Sequence, residues 1–302
     1  MRSIFLCFLL SLFFITQLNA EPPSSVIIRV PEARSELDIS HDYHQSLLKM
    51  AFKQIADKRF RLQQVPFVSE QQVIAEIVKR NHVDLYWLGA DKDLENDLTA
   101  IPVPTTMGLI GFRKFIIHKK DAHTFSALQD IKQLRKHVAC QGRYWPDTKI
   151  LNHAGLRVTS SVFYEDLFKM LAAGRCDYFP RGIHDHRKEL QLRKAHYPDL
   201  ISFESVLLRY PFAVYFYTSK ENIQLASLLE TSLRRLAQSG DIRRLMQEHE
   251  LTRDVFPLQQ SSDTRILGIQ NPFLPTNADT DDPQLWLQPA DFGINTTIKT
   301  TN

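Results

Sequence analysis

Between Val138 and Gly182 the chain reads VACQG, a helix, LRVTSS, a second helix, then CDYFPRG. That is strand, helix, strand, helix, strand in 45 residues. Helical crossovers of this length return the chain to the same end of the sheet, so the strands run parallel. In such sheets a ligand sits at the carboxyl ends of the strands, and here those ends carry Gly142, Arg143 and Arg181.

The same unit occurs earlier. Val26–Val30 is a short strand, and Tyr43, Leu47, Met50, Ala51 and Ile55 recur at helical spacing. Phe60–Val65 and Val83–Leu88 are strands, the latter ending at Gly89, with Gln71–Lys79 a helix between them. Ala100–Pro104 is a short extended piece. Two long runs of β formers, Met107–His118 and Leu207–Thr218, join the two units. The expected fold is therefore α/β, with two lobes joined by a two-strand hinge and a ligand cleft between them. Residues 21–112 begin lobe one, 113–212 form lobe two, and 213–250 return to lobe one.

Smaller features fill in that plan. Ser126–Leu134 reads as a linking helix and Asp185–His196 as another. Ser161 is a candidate N-cap for a helix whose buried stripe is Phe163, Leu167, Met170 and Leu171, and Gly174 stops it. Leu225, Leu229, Leu233 and Leu236 face inward from a late helix, and Gly240 ends it. Residues 251–302 read as a polar tail, broken by NPFLP and DTDDP and held to the surface by Phe273, Leu274, Leu285 and Trp286.

Residues 1–20 have the character of a cleaved export leader, with Arg2 before an apolar run and Leu18-Asn19-Ala20 at the cut. Of 37 basic residues one, Arg2, leaves with the leader, against 34 acidic residues, so the remainder is near neutral. With no dense Lys/Arg run, nucleic acid is not an expected partner. Cys140 and Cys176 remain, and outside the cytoplasm they could pair. Cys140 falls late in one strand and Cys176 at the start of another, however, which in aligned parallel strands separates them beyond bonding range. Two buried free thiols are expected.

Candidate chemistry gathers at the cleft edges. Pro146, with Asp147 and Thr148, starts a helix whose free backbone donors favour an anion by about 0.3–1 kcal/mol when exposed. Arg143 and Arg181 beside it could clamp a carboxylate or phosphate. The alternative is that Arg181 forms a structural ion pair with Asp147, Asp177 or Asp185. Trp87, Tyr144 and Trp145 could wall the ligand, or fill the core. Glu32, Arg34 and Arg113 stand at positions from which they could reach the cleft. His41-x-x-His44 and His184-x-His186 each offer two metal ligands, and two do not make a site. The chain has no G-x-S-x-G elbow, no phosphate-cradling glycine loop and no H-E-x-x-H, so neither catalysis nor a cofactor is expected.

The order of elements over residues 24–250 resembles the periplasmic solute-binding proteins of the amino-acid type, with the type-2 periplasmic-binding fold. WPDTKIL (145–151), YEDLFKMLAAGRCDYFPRG (164–182) and the late NPFLP resemble a gram-negative subgroup with no assigned ligand. The resemblance implies a monomeric periplasmic protein that closes over a small polar or anionic organic ligand for an ABC-type transporter. A ligand sensor or scaffold docking onto a membrane receptor is the alternative. Members of the family hold the ligand carboxylate with an arginine after the third strand, where this chain has GADKDLEND (89–97). They place small hydroxyl residues where Arg143, Tyr144 and Trp145 stand, and an acid where Arg181 and Gly182 stand. Both halves of the usual amino-acid clamp are missing.

Overall fold

The computed structural model describes residues 25–293, except 57 and 262, together with 300–301. The leader lies outside the described residues.

Lobe one begins with β1 (Ser25–Pro31), α1 (Ser40–Lys53), β2 (Arg59–Val65), α2 (Glu70–Lys79), β3 (Leu85–Gly89) and β4 (Leu98–Ile101). β1 and β2 pair in parallel. Asp84 ties them to β3: its amide donates to the Arg29 carbonyl, and its carboxylate receives the Arg29 guanidinium. Helix α2 starts where Ser69 accepts from the Gln72 amide, and it buries Val73 and Ile77.

The chain crosses to lobe two and lays down β5 (Phe112–His118), α3 (Ala122–Ser126), α4 (Ile131–Leu134), β6 (Val138–Gly142), α5 (Pro146–His153), β7 (Arg157–Ser161), α6 (Tyr164–Ala172), β8 (Tyr178–Gly182), α7 (His186–Leu192) and β9 (Leu200–Arg209). It then returns with β10 (Val214–Ser219), α8 (Ile223–Gln238) and α9 (Asp241–Glu248). β10 inserts antiparallel between β3 and β4. Its backbone thereby completes the lobe-one sheet from the far side of the hinge.

The last segment adds β11 (Arg265–Ile269) and β12 (Thr300–Thr301), extending the lobe-two sheet to the order β7-β6-β8-β5-β9-β11-β12. Within it β6, β7 and β8 are parallel, β5 runs against β8 and β9, and β11 pairs parallel with β9. The tail thus does more than lie on the surface. Leu285, Trp286, Leu287 and Phe292 join the lobe-one core, and Phe292 stacks on Phe112 at 4.0 Å. Trp286 presses against the hinge at Gly108, where φ is +70° and a Cβ would fall 2.3 Å from the ring. Only glycine satisfies both demands there.

Several local expectations change. The first hinge run is not extended throughout: Leu109–Gly111 is a 3-10 turn and the strand starts at Phe112. The second run is two strands, because Pro211 cannot donate to a ladder and the chain breaks around it. The linking helix is two short ones, and α7 ends at Leu192. Ser161 closes β7 rather than capping α6, although its hydroxyl accepts from the Phe163 amide. Phe163 is 62% exposed, and the buried face of α6 is Tyr164, Leu167, Phe168 and Leu171. Leu167 and Leu171 are buried as the apolar pattern suggests, whereas Phe163 precedes the helix as its N-cap and Tyr164 and Phe168 complete the face.

The cysteines are joined. Cys140 and Cys176 form a disulfide with their Cα atoms 5.5 Å apart. Cys176 belongs to the bend between α6 and β8, two residues before the strand begins. It therefore comes over the sheet face under α6 instead of lying in line with the ladder, and both residues pack in the cluster holding Leu167, Phe168 and Leu171.

Candidate functional site

Where the lobes meet, a cavity of about 90 Å³ is walled by side chains from both. Lobe one supplies Arg34, His44, Glu70, Tyr86, Trp87 and Thr106; lobe two supplies Arg113, Trp145, Asp147, Arg181, His184 and Asp185. α5 starts at the cavity because Gly142 lets the chain turn tightly: a Cβ there would stand 2.4 Å from the Trp145 ring. Pro146 opens the helix, and Asp147 in its first turn is buried.

The charges are arranged in pairs. Arg34 is bound through two nitrogens to Asp38, at 2.6 and 2.8 Å, and also donates to Ser40. Burial alone would raise the Asp38 carboxyl, but the Arg34 charge outweighs it and holds the group well below the usual carboxylate range. Arg34 then leans across the cleft, 4.6 Å from the Tyr164 ring centre. Arg181 is clamped by Glu189 at 2.7 and 2.6 Å, with Asp185 at 3.5 Å and the Trp145 ring 5.1 Å away. Tyr164 donates its hydroxyl to the same Glu189 carboxylate. Arg113, 1% exposed, pairs with Asp147, which also receives the Tyr210 hydroxyl.

Three residues that line this cavity each carry a buried polar atom with no partner among the described residues: Thr106 Oγ1, Arg113 Nε and His184 Nδ1. Such orphans are rare in a native structure, since each forfeits the desolvation of a polar group. Burial lowers the His184 pKa, so its ring is neutral near pH 7. Its Nε2 lies 3.4 Å from Asp185 Oδ1, which places the proton on Nε2 by neighbourhood and leaves Nδ1 an acceptor. The unpartnered atoms on its lining residues are thus a guanidinium N–H donor, a hydroxyl that can do either, and a ring acceptor.

Apolar surface lies between them. His44 stacks on Trp87 at 4.9 Å, its Nδ1 directed to the Ser40 carbonyl and its Nε2 to the Thr105 hydroxyl. Burial pushes its pKa down to about 3, so it is a neutral packing group. Glu70, at the start of α2, accepts from the Trp145 indole across the cleft, and burial pushes its carboxyl up to about 7. Other bridges between the lobes are Ser35 to Glu165 at 2.8 Å and Lys149 to Asp91 and Asp93.

Of the residues singled out from sequence, Arg113, Trp145, Arg181 and Trp87 line the cavity. Arg143 does not: it is exposed, on an outer rim beside Tyr144 and Phe163, so the Arg143–Arg181 clamp does not assemble. Glu32 is exposed outside the cavity, and Thr148 spends its hydroxyl on the Gly142 carbonyl. The ion-pair alternative for Arg181 describes its surroundings better, with Glu189 as the unforeseen principal partner. Glu189 reaches Arg181 only because α7 folds back after β8, a turn that residue spacing does not announce. Asp38 had a signal, four residues after Arg34; His184 was visible only as half of His184-x-His186, and Thr106 had no signal beyond its residue type. Among the described residues no group of three or more His, Cys, Asp or Glu gathers as metal ligands. His41 lies against Gln45 and Trp87 instead.

No family model matches the sequence, nor does any curated protein. Solved structures do match. A histidine kinase sensor domain with similarity to periplasmic binding proteins is 13% identical, with a TM-score of 0.55, over 74% of this chain and 95% of its own. The amino acid ABC transporter substrate-binding protein AbpA of Streptococcus pneumoniae, bound to L-arginine, is 13% identical with a TM-score of 0.54, over 75% and 94%. The VFT2 domain of BvgS from Bordetella pertussis is 14% identical with a TM-score of 0.53, over 74% and 93%. Transport proteins and sensor domains both share the architecture. The two lobes, the crossing strands and the walled cavity between them are those of the type-2 periplasmic-binding fold.

Proposed function

We propose that this chain is an exported solute-binding protein whose lobes close over a small polar organic molecule and deliver it to an ABC-type transporter. The carrying observation is the interlobe cavity with its three unpartnered buried atoms. A fitting solute presents an acceptor to Arg113 Nε and the Thr106 hydroxyl, and a donor to His184 Nδ1. Hydroxy acids, amides and amino-acid derivatives have both on one small frame. A simple dianion lacks the donor, and the cavity arginines that might attract it are already neutralised by Asp38, Asp147 and Glu189. The fold itself carries no catalytic demand, and the aromatic walls supply contact area without a nucleophile. Export rests on the leader at residues 1–20.

A second reading, a sensory protein docking onto a membrane receptor, is favoured by one fact. A histidine kinase sensor domain shares this fold as closely as the arginine-bound transport protein does. A thermal-shift screen with amino acids, hydroxy acids, phosphorylated metabolites and short peptides decides first. A ligand at about 100 times its Kd adds about 2.7 kcal/mol, roughly 5 °C or more for a chain this size. The expected result is a hit that Thr106→Val weakens and that contracts the protein in solution scattering. A folded protein with no hit across the panel overturns the solute reading and favours the receptor partner.

A further inference from the structure

A second groove, of about 820 Å³, lies on the other side of His184 and Leu251, which line both it and the interlobe cavity. One wall is lobe two, with Lys114, His186, Arg187 and Glu204; the other is the chain that follows α9, residues 250–264. The ladder between β5 and β9 shifts register between Arg113 and Phe115, and Lys114 falls in that irregularity. Such bulges re-aim a side chain out of the regular alternation. Here the bulge takes Lys114, only 2% exposed, to the wall of the groove, where its ammonium donates to the Glu204 carbonyl oxygen.

That leaves donors of a buried ammonium unused. An ammonium has three donors, and one is used. Among the described residues no carboxylate lies within ion-pairing range of Lys114. The nearby Glu204 carboxylate is taken by His186 at 3.1 Å, Arg187 at 3.0 Å and Ser202 at 2.6 Å. Glu250 is held by Lys188, and Asp254 sits 3.6 Å from Arg253. Burial pushes the Lys114 pKa down to about 8, outweighing the Glu204 charge that opposes the shift, while Arg187 adds to it. A buried charge is normally paired, and the groove beside this one is open and lined by neutral donors such as Ser205, Gln191, Ser261 and Thr264.

We propose that this groove is a second binding site, for the oxyanion of a small carboxylate or phosphate seated against Lys114. Acidic side chains on the facing wall, Asp254 among them, disfavour large polyanions, so the ligand is small. The site is independent of what the interlobe cavity binds. Because its walls are lobe two and the segment after α9, an occupant bears on both, with His184 and Leu251 between it and the first cavity.

The test uses the full exported chain with its lysines ¹³C-methylated, which keeps their charge. The Lys114 resonance is followed against pH without anion, with inorganic phosphate, and with succinate. Its titration midpoint is expected to rise from about 8 with at least one of them. Calorimetry with the effective anion should then lose at least about tenfold in affinity in Lys114→Met, the cost of one charge-assisted hydrogen bond. It should survive in Thr106→Val, which damages the interlobe cavity alone. A response to phosphate only or succinate only names the source of the oxyanion. A Lys114 resonance indifferent to both anions overturns the proposal even if Lys114→Met does not fold, as does undiminished binding in a folded Lys114→Met. Loss of solute binding in Thr106→Val with the Lys114 response intact separates the two sites.

Discussion

Gln141 is fully buried in β6, and neither amide atom has a hydrogen-bond partner among the described residues. An unpaired buried polar group costs about 1–3 kcal/mol. Gln141→Met keeps the shape and removes the polarity, so it is expected to raise Tm by about 2 °C or more in a melting experiment. No change would mean the amide has found a partner, such as an ordered water. Arg181 is the opposite case, a buried charge fully engaged. Arg181→Ala leaves Glu189 buried with only the Tyr164 hydroxyl and the Arg193 charge near it, and denaturant titration should show a loss of about 3–5 kcal/mol. Removing both partners, Arg181→Met with Glu189→Leu, is expected to recover most of that loss. A small loss in the single variant would instead put Arg181 at the service of the solute.

At the scale of elements, the disulfide encloses α5, β7 and α6 in one covalent loop between β6 and the start of β8. Closing a loop with a separation of 36 residues is worth about 3–4 kcal/mol in the chain-entropy account. Cys140→Ala with Cys176→Ala, or a reducing agent, should lower stability by that order, and unchanged unfolding would show the thiols unlinked. The elements themselves were largely legible, since helices and strands of both units announce themselves by period and by breakers such as Gly89, Gly142 and Gly174. What the sequence hid were meetings decided by tertiary geometry. Cys176 met Cys140 because a bend, not a strand, carries it. Phe163 lies exposed because it precedes α6 as its N-cap, with extended backbone. Arg113, Arg181, Trp87 and Trp145 were readable as cleft residues from strand ends and helix starts, whereas Thr106 and His184 stand out only through atoms left without partners.

For the whole molecule, the proposed closure would be linked to protonation through Glu70. In the closed form it faces Trp145 and Asp147 of lobe two and Arg34 of its own lobe, and burial raises its carboxyl to about 7. When the lobes part, that carboxyl returns to water and to its ordinary value, so the closed form binds the proton more tightly. A raised acid stabilises the state that buries it below the ordinary value, and this help fades as pH climbs towards and through 7. Scattering should therefore show the ligand-free protein opening between about pH 5 and 8. In Glu70→Gln that dependence should flatten, and an identical profile in the variant would remove Glu70 from the linkage.

The position of the tail has a further meaning for how the protein is made. β11 extends the lobe-two sheet, β10 and α8 complete lobe one, and Trp286 and Phe292 close the hinge side of its core. Neither lobe is whole until the last forty or so residues have arrived. During synthesis of the chain from its amino end, two incomplete cores therefore precede the arrival of residues 265–292, each with an unpaired sheet edge. Its order of synthesis makes the final segment the step at which both halves become resistant to aggregation and proteolysis together.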